Sequence, residues 1–365
     1  MAVTPPPGAA AAAPDRLLAQ FDERRPAALA RAVSIVENHR EGFEGILERL
    51  HPRIGRARRI GLTGPPGAGK STLTTRLAAH YRRAGLTVGI VAVDPTSPFT
   101  GGALLGDRIR MEAVALDPGI FIRSMATRGS LGGLAATTRE VADVLDAYGF
   151  DRILIETVGV GQSELDIART ADTTVVVLVP ESGDSIQTMK AGLMEIADVF
   201  VINKADRPGA DRLRHEVELM LGLRMGQIFR HVPAHHGVEL RRINNPARAA
   251  REAAATDDAE HWTPPVLSTV ADRDEGTEAV AAAFDRHFDY LERSGALRER
   301  RRQRLRERVV EVVERRVRER LWGAPATNAW LDARLPELEA GTLTPFAAAE
   351  ELLRQGAGLI TGDTR

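Results

Sequence analysis

Short apolar runs alternate with longer amphipathic stretches through the middle of the chain. The runs predict strands at 59–63, 88–93, 120–123, 153–157, 174–179, 199–203, 227–231 and 266–269. Apolar runs of this kind are typical of strands buried on both faces, and helical stretches between them supply the crossovers that parallel strands need. The pattern predicts an α/β fold, with a mostly parallel sheet covered by helices on both faces.

The two ends of the chain have a different pattern. Residues 1–14 are rich in alanine, proline and glycine and predict a disordered lead, whereas apolar positions at helical spacing over 15–58 predict N-terminal helices. We expect the strand and helix units over 59–293 to form the main domain. Helical periodicity then predicts a helical extension over 294–357, followed by a short tail at 358–365.

The long arginine-rich helix of this extension carries an apolar stripe. Its members recur every fourth residue, at Leu305, Val309, Val313, Val317 and Leu321. Such a stripe needs a partner helix. Nucleic-acid binding would instead predict clustered cations with stacking aromatics, but glutamates are interleaved with the arginines here. We predict a homodimerisation arm without a nucleic-acid partner; an ordinary solvated helix is the alternative.

A glycine-rich segment follows the first predicted strand and precedes a helical pattern. It consists of Gly64, Pro65, Pro66, Gly67, Ala68, Gly69, Lys70 and Ser71, followed by Thr72, and it fits G-x-x-x-x-G-K-[ST]. The glycines let backbone N–H groups surround a phosphate chain, and the following helix adds the positive end of its dipole. We expect Lys70 to reach the terminal phosphates and the Ser71 hydroxyl to ligate magnesium. The segment predicts a P-loop that binds a nucleoside triphosphate.

The segment after the strand at 199–203 indicates the base. Asn203, Lys204 and Asp206 match N-K-x-D. A carboxylate at Asp206 can accept hydrogen bonds from N1–H and the exocyclic amine of guanine. Adenine offers an acceptor where that proton should be, which leaves the carboxylate unpaired. The motif therefore favours GTP over ATP, with Asn203 bracing the phosphate loop and the Lys204 stem lying over the base.

The end of the last predicted strand, with the residue that follows it, is a second candidate for base contact. It consists of Ser268, Thr269 and Val270. A simple strand end is the alternative interpretation.

Another predicted strand ends in an acid followed by a glycine. Glu156 ends the apolar run at 153–157, and Gly159 comes three positions later. This spacing predicts that Glu156 binds magnesium, directly or through water, while the Gly159 N–H contacts the terminal phosphate. Val160 follows Gly159, where small signalling GTPases have a glutamine. We therefore expect slow intrinsic hydrolysis.

Two aspartates are further candidates for the metal site. Asp94 follows the strand at 88–93, and Asp107 lies in a segment that we predict to be a mobile switch. Carboxylates are hard oxygen ligands suited to magnesium. A helix cap is the alternative for Asp107.

The composition restricts the remaining possibilities. The chain has no cysteine, which excludes disulfides and thiolate chemistry. Its net charge is about -1, so the protein as a whole has no positive electrostatic field that would attract nucleic acid or an anionic membrane. No apolar run approaches the roughly 20 residues that span a bilayer. We expect a cytoplasmic protein without a membrane partner. Lysine occurs only at Lys70, Lys190 and Lys204, which suggests positions where arginine cannot substitute.

The motifs together resemble the methylmalonyl-CoA mutase-associated GTPases, the MeaB and ArgK family. The matching segments are GPPGAGKST, VDPTSPFTGG, LLGDRIRM, SMATRGSLGG, IETVGVGQSE, NKAD and LERSGALRERR. The resemblance covers about residues 31–353. It implies that the protein belongs to the same class as the nickel-insertion and signal-recognition GTPases, that it binds GTP or GDP with magnesium, and that it forms a homodimer. It also implies a chaperone that gates adenosylcobalamin delivery to an acyl-CoA mutase, protects the mutase and ejects damaged cofactor.

Site roles are carried over from this family by motif. The resemblance implies the roles given above for seven residues, Lys70, Ser71, Asp94, Asp107, Glu156, Asn203 and Asp206. We predict that hydrolysis depends on Lys70, Asp107, Glu156 and Gly159. The resemblance also implies an additional switch that contacts the mutase, formed here by Asp184, Gln187 and Lys190.

Three other functions stay open at the level of sequence, and one of them is a scaffold whose bound nucleotide is only structural. His235 and His236 are the only feature that suggests a nickel metallochaperone. A kinase for a transport-associated protein would need an acceptor-activating base, and the N-K-x-D motif argues against ATP as its donor.

Overall fold

The computed structural model describes residues 9–95, 111–127, 133–157, 166–180, 191–224 and 261–355. Within these residues, seven parallel strands form one sheet. They are β1 (Arg58–Thr63), β2 (Val88–Pro95), β3 (Ile120–Thr127), β4 (Arg152–Thr157), β5 (Thr173–Leu178), β6 (Val199–Asn203) and β7 (Val266–Thr269). Their order is β3-β2-β4-β1-β5-β6-β7, and each neighbouring pair is parallel. The predicted α/β fold is confirmed. The strand predicted at 227–231 lies outside the described residues.

The strand order sets where a ligand can bind. From β1 the chain runs to β2 and β3 on one side, and after β4 it crosses to β5, β6 and β7 on the other. Ligands of open parallel sheets bind beyond the carboxyl ends of the strands where the chain changes direction. That point is the end of β1, where the glycine-rich loop begins.

Helices cover both faces of the sheet. In the described residues, the α-helices before residue 294 are α1 (Ala9–Asp22), α2 (Pro26–Glu37), α3 (Phe43–Leu50), α4 (Lys70–Arg83), α5 (Glu112–Ala115), α6 (Gly133–Tyr148), α7 (Ala191–Ile196), α8 (Ala210–Arg224) and α9 (Thr277–Arg293). Three more α-helices follow them within the described residues, α10 (Ala296–Gly323), α11 (Pro325–Glu339) and α12 (Pro345–Gln355). Successive strand side chains point to opposite faces. Leu62, Leu154 and Val175 therefore pack with α4 and α9. Ile155 and Val176 belong to the clusters of the opposite face, which α1–α3, α6, α7 and α8 complete.

The N-terminal helix is longer than the sequence pattern predicts. Helix α1 begins at Ala9, inside the segment 1–14 that we predict as a disordered lead. Alanine has the highest helix propensity of any residue, and the chain has an alanine run over 9–13. The alanine run therefore forms the first part of helix α1.

The chain divides into two compact units, residues 1–300 and 301–365. The first unit contains the sheet and its covering helices. In the second, Arg334 of α11 pairs with Glu351 of α12 at 3.0 Å, and Leu352 of α12 is buried. The finer boundaries proposed at 294 and 357 stay predictions. None of the helices in the described residues is both long enough and apolar enough to cross a membrane.

A buried carboxylate joins several elements at the amino-terminal edge of the sheet. Asp198 precedes β6, and its Oδ2 accepts hydrogen bonds from Thr174 N at 2.9 Å and from Arg300 Nη1 at 3.1 Å. Its Oδ1 accepts from Arg300 Nη2 at 2.9 Å and lies 3.2 Å from His287 Nε2. Burial alone would raise the pKa of Asp198, but His287 and Arg300 hold it below its ordinary value.

Candidate nucleotide-binding site

The loop between β1 and α4 depends on two of its glycines. Gly64 has φ +135°, and a Cβ there would lie 2.1 Å from Val177 O on neighbouring β5. Gly69 has φ +84°, and its Cβ would lie 2.3 Å from Asn203 Nδ2. Glycine alone tolerates both the positive φ and the close approach. The loop is therefore packed tightly against a strand backbone and against the N-K-x-D segment.

Lys70 begins helix α4 directly after this loop. Its Nζ donates hydrogen bonds to Gly64 O at 2.9 Å and to Pro65 O at 3.0 Å, and the residue is 6% exposed. These contacts place a compact ammonium over the glycine-rich loop. A cation in this position can neutralise the charge of bound phosphates.

Two oxygen donors converge at the same end of the sheet. The Ser71 hydroxyl donates to Glu156 Oε1 at 2.6 Å, and both residues are buried. The sheet register explains the contact, because Glu156 on β4 lies beside Leu62 at the end of β1. Asp94 lies two residues beyond the β2 position that pairs with Glu156. A hydroxyl and a carboxylate are hard oxygen ligands, so this donor set fits magnesium.

Asn203 links the phosphate loop to the segment that follows β7. Its Nδ2 donates to Ala68 O at 2.8 Å. Its Oδ1 accepts from Thr269 Oγ1 at 3.1 Å and from Ala271 N at 3.1 Å. The side chain is buried, and both its amide nitrogen and its amide oxygen take part in these contacts. One residue thus fixes the distance between the two predicted halves of the nucleotide site.

The remaining N-K-x-D residues follow Asn203 directly. Lys204 has a left-handed backbone with φ +55°, which is uncommon for a non-glycine residue and turns the chain sharply. Ala205 N donates to Thr269 O at 3.0 Å. Asp206 Oδ2 lies 3.5 Å from Arg273 Nη2. The predicted guanine-binding carboxylate therefore has an arginine beside it.

The end of β7 leads into a turn that contacts helix α4. Ser268 and Thr269 pair with Ile202 and Asn203 at the end of the sheet, and Val270 forms an antiparallel bridge with Glu275. Sequence motifs gave no indication of Arg76, a helix α4 residue that donates to the backbone of the turn after Val270. Such a contact spans almost two hundred residues and belongs to no local motif.

A cavity of about 470 Å³ unites most of these elements. Its lining consists of Pro66, Gly67, Gly69, Lys70, Ser71, Thr72, Glu156, Asn203, Lys204 and Asp272. The volume lies in the range of small-molecule sites. Asp206, Ser268, Thr269 and Val270 are not lining residues, and they lie two to four positions along the chain from Lys204 or Asp272. The cavity thus joins the glycine-rich loop, Glu156 of β4 and the start of the N-K-x-D segment.

Several predicted residues lie outside the described part of the chain. They are Asp107, Gly159, Val160, Asp184, Gln187, Lys190, His235 and His236. Asp94 is described as the penultimate residue of β2. Within the described ranges, no group of three or more His, Cys, Asp or Glu residues could hold a metal ion.

Comparisons with known proteins agree with this geometry. The profile of the family described as "Methylmalonyl Co-A mutase-associated GTPase MeaB" matches residues 29–326. A relative from Pyrococcus abyssi that is named as a GTPase is 44% identical over 347 residues. The match covers 94% of this chain and 98% of the relative. The mouse protein "Methylmalonic aciduria type A homolog, mitochondrial" is 40% identical over 206 residues, which is 53% of this chain and 50% of that protein.

A solved structure supports the fold over nearly the whole chain. The crystal structure of a LAO/AO transport system kinase has a TM-score of 0.62 and 27% sequence identity, and the match covers 96% of this chain and 98% of that one.

The fold and these matches define the chain as a P-loop GTPase, an enzyme that binds guanine nucleotide and hydrolyses GTP. It belongs to the MeaB family of methylmalonyl-CoA mutase-associated GTPases. The family resemblance drawn from the motifs is confirmed.

Proposed function

We propose that this GTPase is a chaperone for an adenosylcobalamin-dependent acyl-CoA mutase such as methylmalonyl-CoA mutase. It gates delivery of intact cofactor, protects the mutase from inactivation and helps to eject damaged cobalamin. Family membership over residues 29–326 carries this proposal. The name of the mouse relative, which refers to methylmalonic aciduria, supports a client that acts on a methylmalonyl substrate.

In this proposal the phosphate side of the cavity holds GTP and magnesium. Lys70 neutralises the terminal phosphates, while Ser71, Glu156, Asp94 and Asp107 are the ligands for the metal. Magnesium supplies further neutralisation of phosphate charge when it is bound. The buried contact of 2.6 Å between Ser71 and Glu156 supports these two as ligands.

The base side selects guanine. Asp206 accepts the N1–H and exocyclic amine of the base, and the Lys204 stem covers its face. Asn203 fixes the distance from base to phosphates through its contacts with Ala68 and the segment after β7. The segment Ser268–Val270 supplies the last contact to the base.

Partner control follows from an incomplete hydrolytic site. Val160 cannot orient an attacking water, so basal hydrolysis is slow and the mutase completes the arrangement. GTP orders the segments around Asp107 and Gly159, and hydrolysis releases them. Asp184, Gln187 and Lys190 transmit the nucleotide state to the mutase surface.

The test is the rate of GTP hydrolysis with and without the candidate mutase. We expect stimulation of the wild type, almost no turnover for Lys70→Ala, and a normal basal rate with reduced stimulation for Lys190→Ala. Equal wild-type rates with and without mutase would count against the chaperone proposal. A Lys190→Ala variant with a reduced basal rate and full stimulation would contradict the switch assignment.

We further propose that the chain is a homodimer through helix α10. Val309, Val310 and Val313 of this helix are 63%, 51% and 54% exposed, an unusual density of exposed apolar residues. We expect Val313→Glu to halve the mass measured by light scattering, whereas the control Arg318→Glu keeps the dimer. A Val313→Glu dimer at micromolar concentration would exclude this stripe as the interface.

We propose a cytoplasmic location, with neither membrane nor nucleic acid as a partner.

A further inference from the structure

Arg76 connects the helix of the phosphate site to the segment after β7. Its Nε donates to Ala271 O at 3.0 Å, and its Nη2 donates to Asp272 O at 2.6 Å. Lys70 and Ser71 lie at the start of the same helix. A single guanidinium thus joins the helix that begins at the phosphate loop to the turn beside the base site.

The turn held by Arg76 contacts the N-K-x-D segment at two points. Ala271 N donates to Asn203 Oδ1 at 3.1 Å, and Arg273 Nη2 lies 3.5 Å from Asp206 Oδ2. Asp272 also lines the cavity. The turn at 271–273 therefore lies against the segment that carries the Asp206 carboxylate.

Two residues with positive φ follow this turn. Asp274 has φ +59°, a left-handed conformation that is uncommon for non-glycine residues but accessible to aspartate. Gly276 has φ +81°, and a Cβ there would lie 2.4 Å from Ser268 O. Hydrogen bonds from a charged donor are stronger than those between neutral groups. Arg76 supplies two such bonds to consecutive carbonyls of the turn.

We propose that Arg76 is a positioning residue for guanine selection. It fixes the turn at 271–273 so that Asp206 presents its carboxylate to the base. This inference rests on the proposed role of Asp206. The planar fork of arginine suits two neighbouring carbonyls, whereas the ammonium of lysine is a single point charge.

The test compares Arg76→Met and Arg76→Lys with the wild-type chain. Arg82→Met is the matched control, because Arg82 lies on the same helix and also makes two contacts, with Asp117 Oδ1 at 2.8 Å and Leu86 O at 2.9 Å. Affinities for GTP, ATP and inorganic tripolyphosphate are measured by displacement of a fluorescent guanine nucleotide, and the thermal unfolding midpoint is recorded for each variant.

We expect Arg76→Met to lower the ratio of GTP to ATP affinity by about tenfold, the equivalent of one lost charge-assisted hydrogen bond. Tripolyphosphate affinity stays unchanged, because it reports the phosphate loop alone. Arg76→Lys recovers part of the ratio. Arg82→Met keeps the wild-type ratio of GTP to ATP affinity, even if its thermal unfolding midpoint falls by as much as that of Arg76→Met.

Two results would overturn the assignment of Arg76. One is a wild-type GTP to ATP ratio in Arg76→Met. The other is an equal loss of GTP and tripolyphosphate affinity, which would indicate a general effect on the site. A wild-type chain that binds ATP as tightly as GTP would refute guanine selection by Asp206 itself, and the inference with it.

Discussion

Replacement of Asn203 by alanine tests whether the two halves of the nucleotide site depend on one side chain. Asn203 is 3% exposed and takes part in three hydrogen bonds, with Ala68 O, Thr269 Oγ1 and Ala271 N. Alanine removes all three and leaves a carbonyl, a hydroxyl and an amide without this partner.

The magnitude follows from what those three groups lose. A buried polar group left unsatisfied costs about 1–3 kcal/mol. Asn203 borders the cavity, so water can reach part of the vacated space, and we take the lower end of the range for each group. The expected loss in the free energy of unfolding is therefore about 3 kcal/mol.

Urea unfolding without nucleotide measures this loss, and displacement of a fluorescent guanine nucleotide measures affinity. Asn203→Asp refines the test, because it keeps an acceptor for Thr269 and Ala271 but turns an oxygen towards Ala68 O. We expect Asn203→Asp to lose less stability than Asn203→Ala, while both lose at least about tenfold in GDP affinity.

Asn38→Ala is the control, because Asn38 donates one side-chain hydrogen bond, to Ser34 O at 2.8 Å, in the N-terminal helices. We expect it to cost no more than about 1.5 kcal/mol and to leave nucleotide affinity unchanged. The linking role of Asn203 is refuted if Asn203→Ala unfolds at the wild-type urea concentration, or if Asn203→Ala and Asn38→Ala bind GDP equally well.

Two further predictions concern the backbone of the phosphate loop and a buried charge. Gly64→Ala places a Cβ 2.1 Å from Val177 O, a backbone atom that cannot move aside, so nucleotide binding measured by calorimetry should be lost; near-normal binding would contradict this. Asp198→Asn should destabilise the chain by about 3 kcal/mol at pH 7, because His287 and Arg300 lose a buried partner. The folded pKa of Asp198 lies below its ordinary value of 3.8, so the carboxylate stabilises the chain above that pH, and this stability is lost as the pH falls through the folded pKa. The wild-type and Asp198→Asn urea midpoints should therefore converge as the pH falls below about 3.8, and a constant gap would refute this assignment.

The sequence predicts the local parts of the fold well. Apolar runs give the seven observed strands, because a strand buried on both faces must be apolar throughout. Their exact ends differ. The run ending at 123 predicts a short β3, but the strand continues to Thr127, because register with β2 extends pairing through polar positions such as Ser124.

Long-range contacts could not be predicted from spacing. The phosphate loop is recognisable because its eight residues make one local structure. Arg76 contacts Ala271 and Asp272 only once the whole sheet has formed, because β5 and β6 lie between β1 and β7, and no sequence motif includes both partners. Arg273 beside Asp206 is a similar case. Strand order decides these contacts, and it is a property of the whole sheet.

The most direct test of the proposed chaperone function is the affinity of this GTPase for its client mutase in two nucleotide states. Dissociation constants are measured with a non-hydrolysable GTP analogue and with GDP, at saturating nucleotide. A nucleotide switch requires the two constants to differ, and couplings of this kind are typically about 5- to 150-fold. We predict a difference in that range, which disappears in Lys70→Ala. Equal dissociation constants in the two states would contradict the proposal that GTP controls the interaction with the mutase.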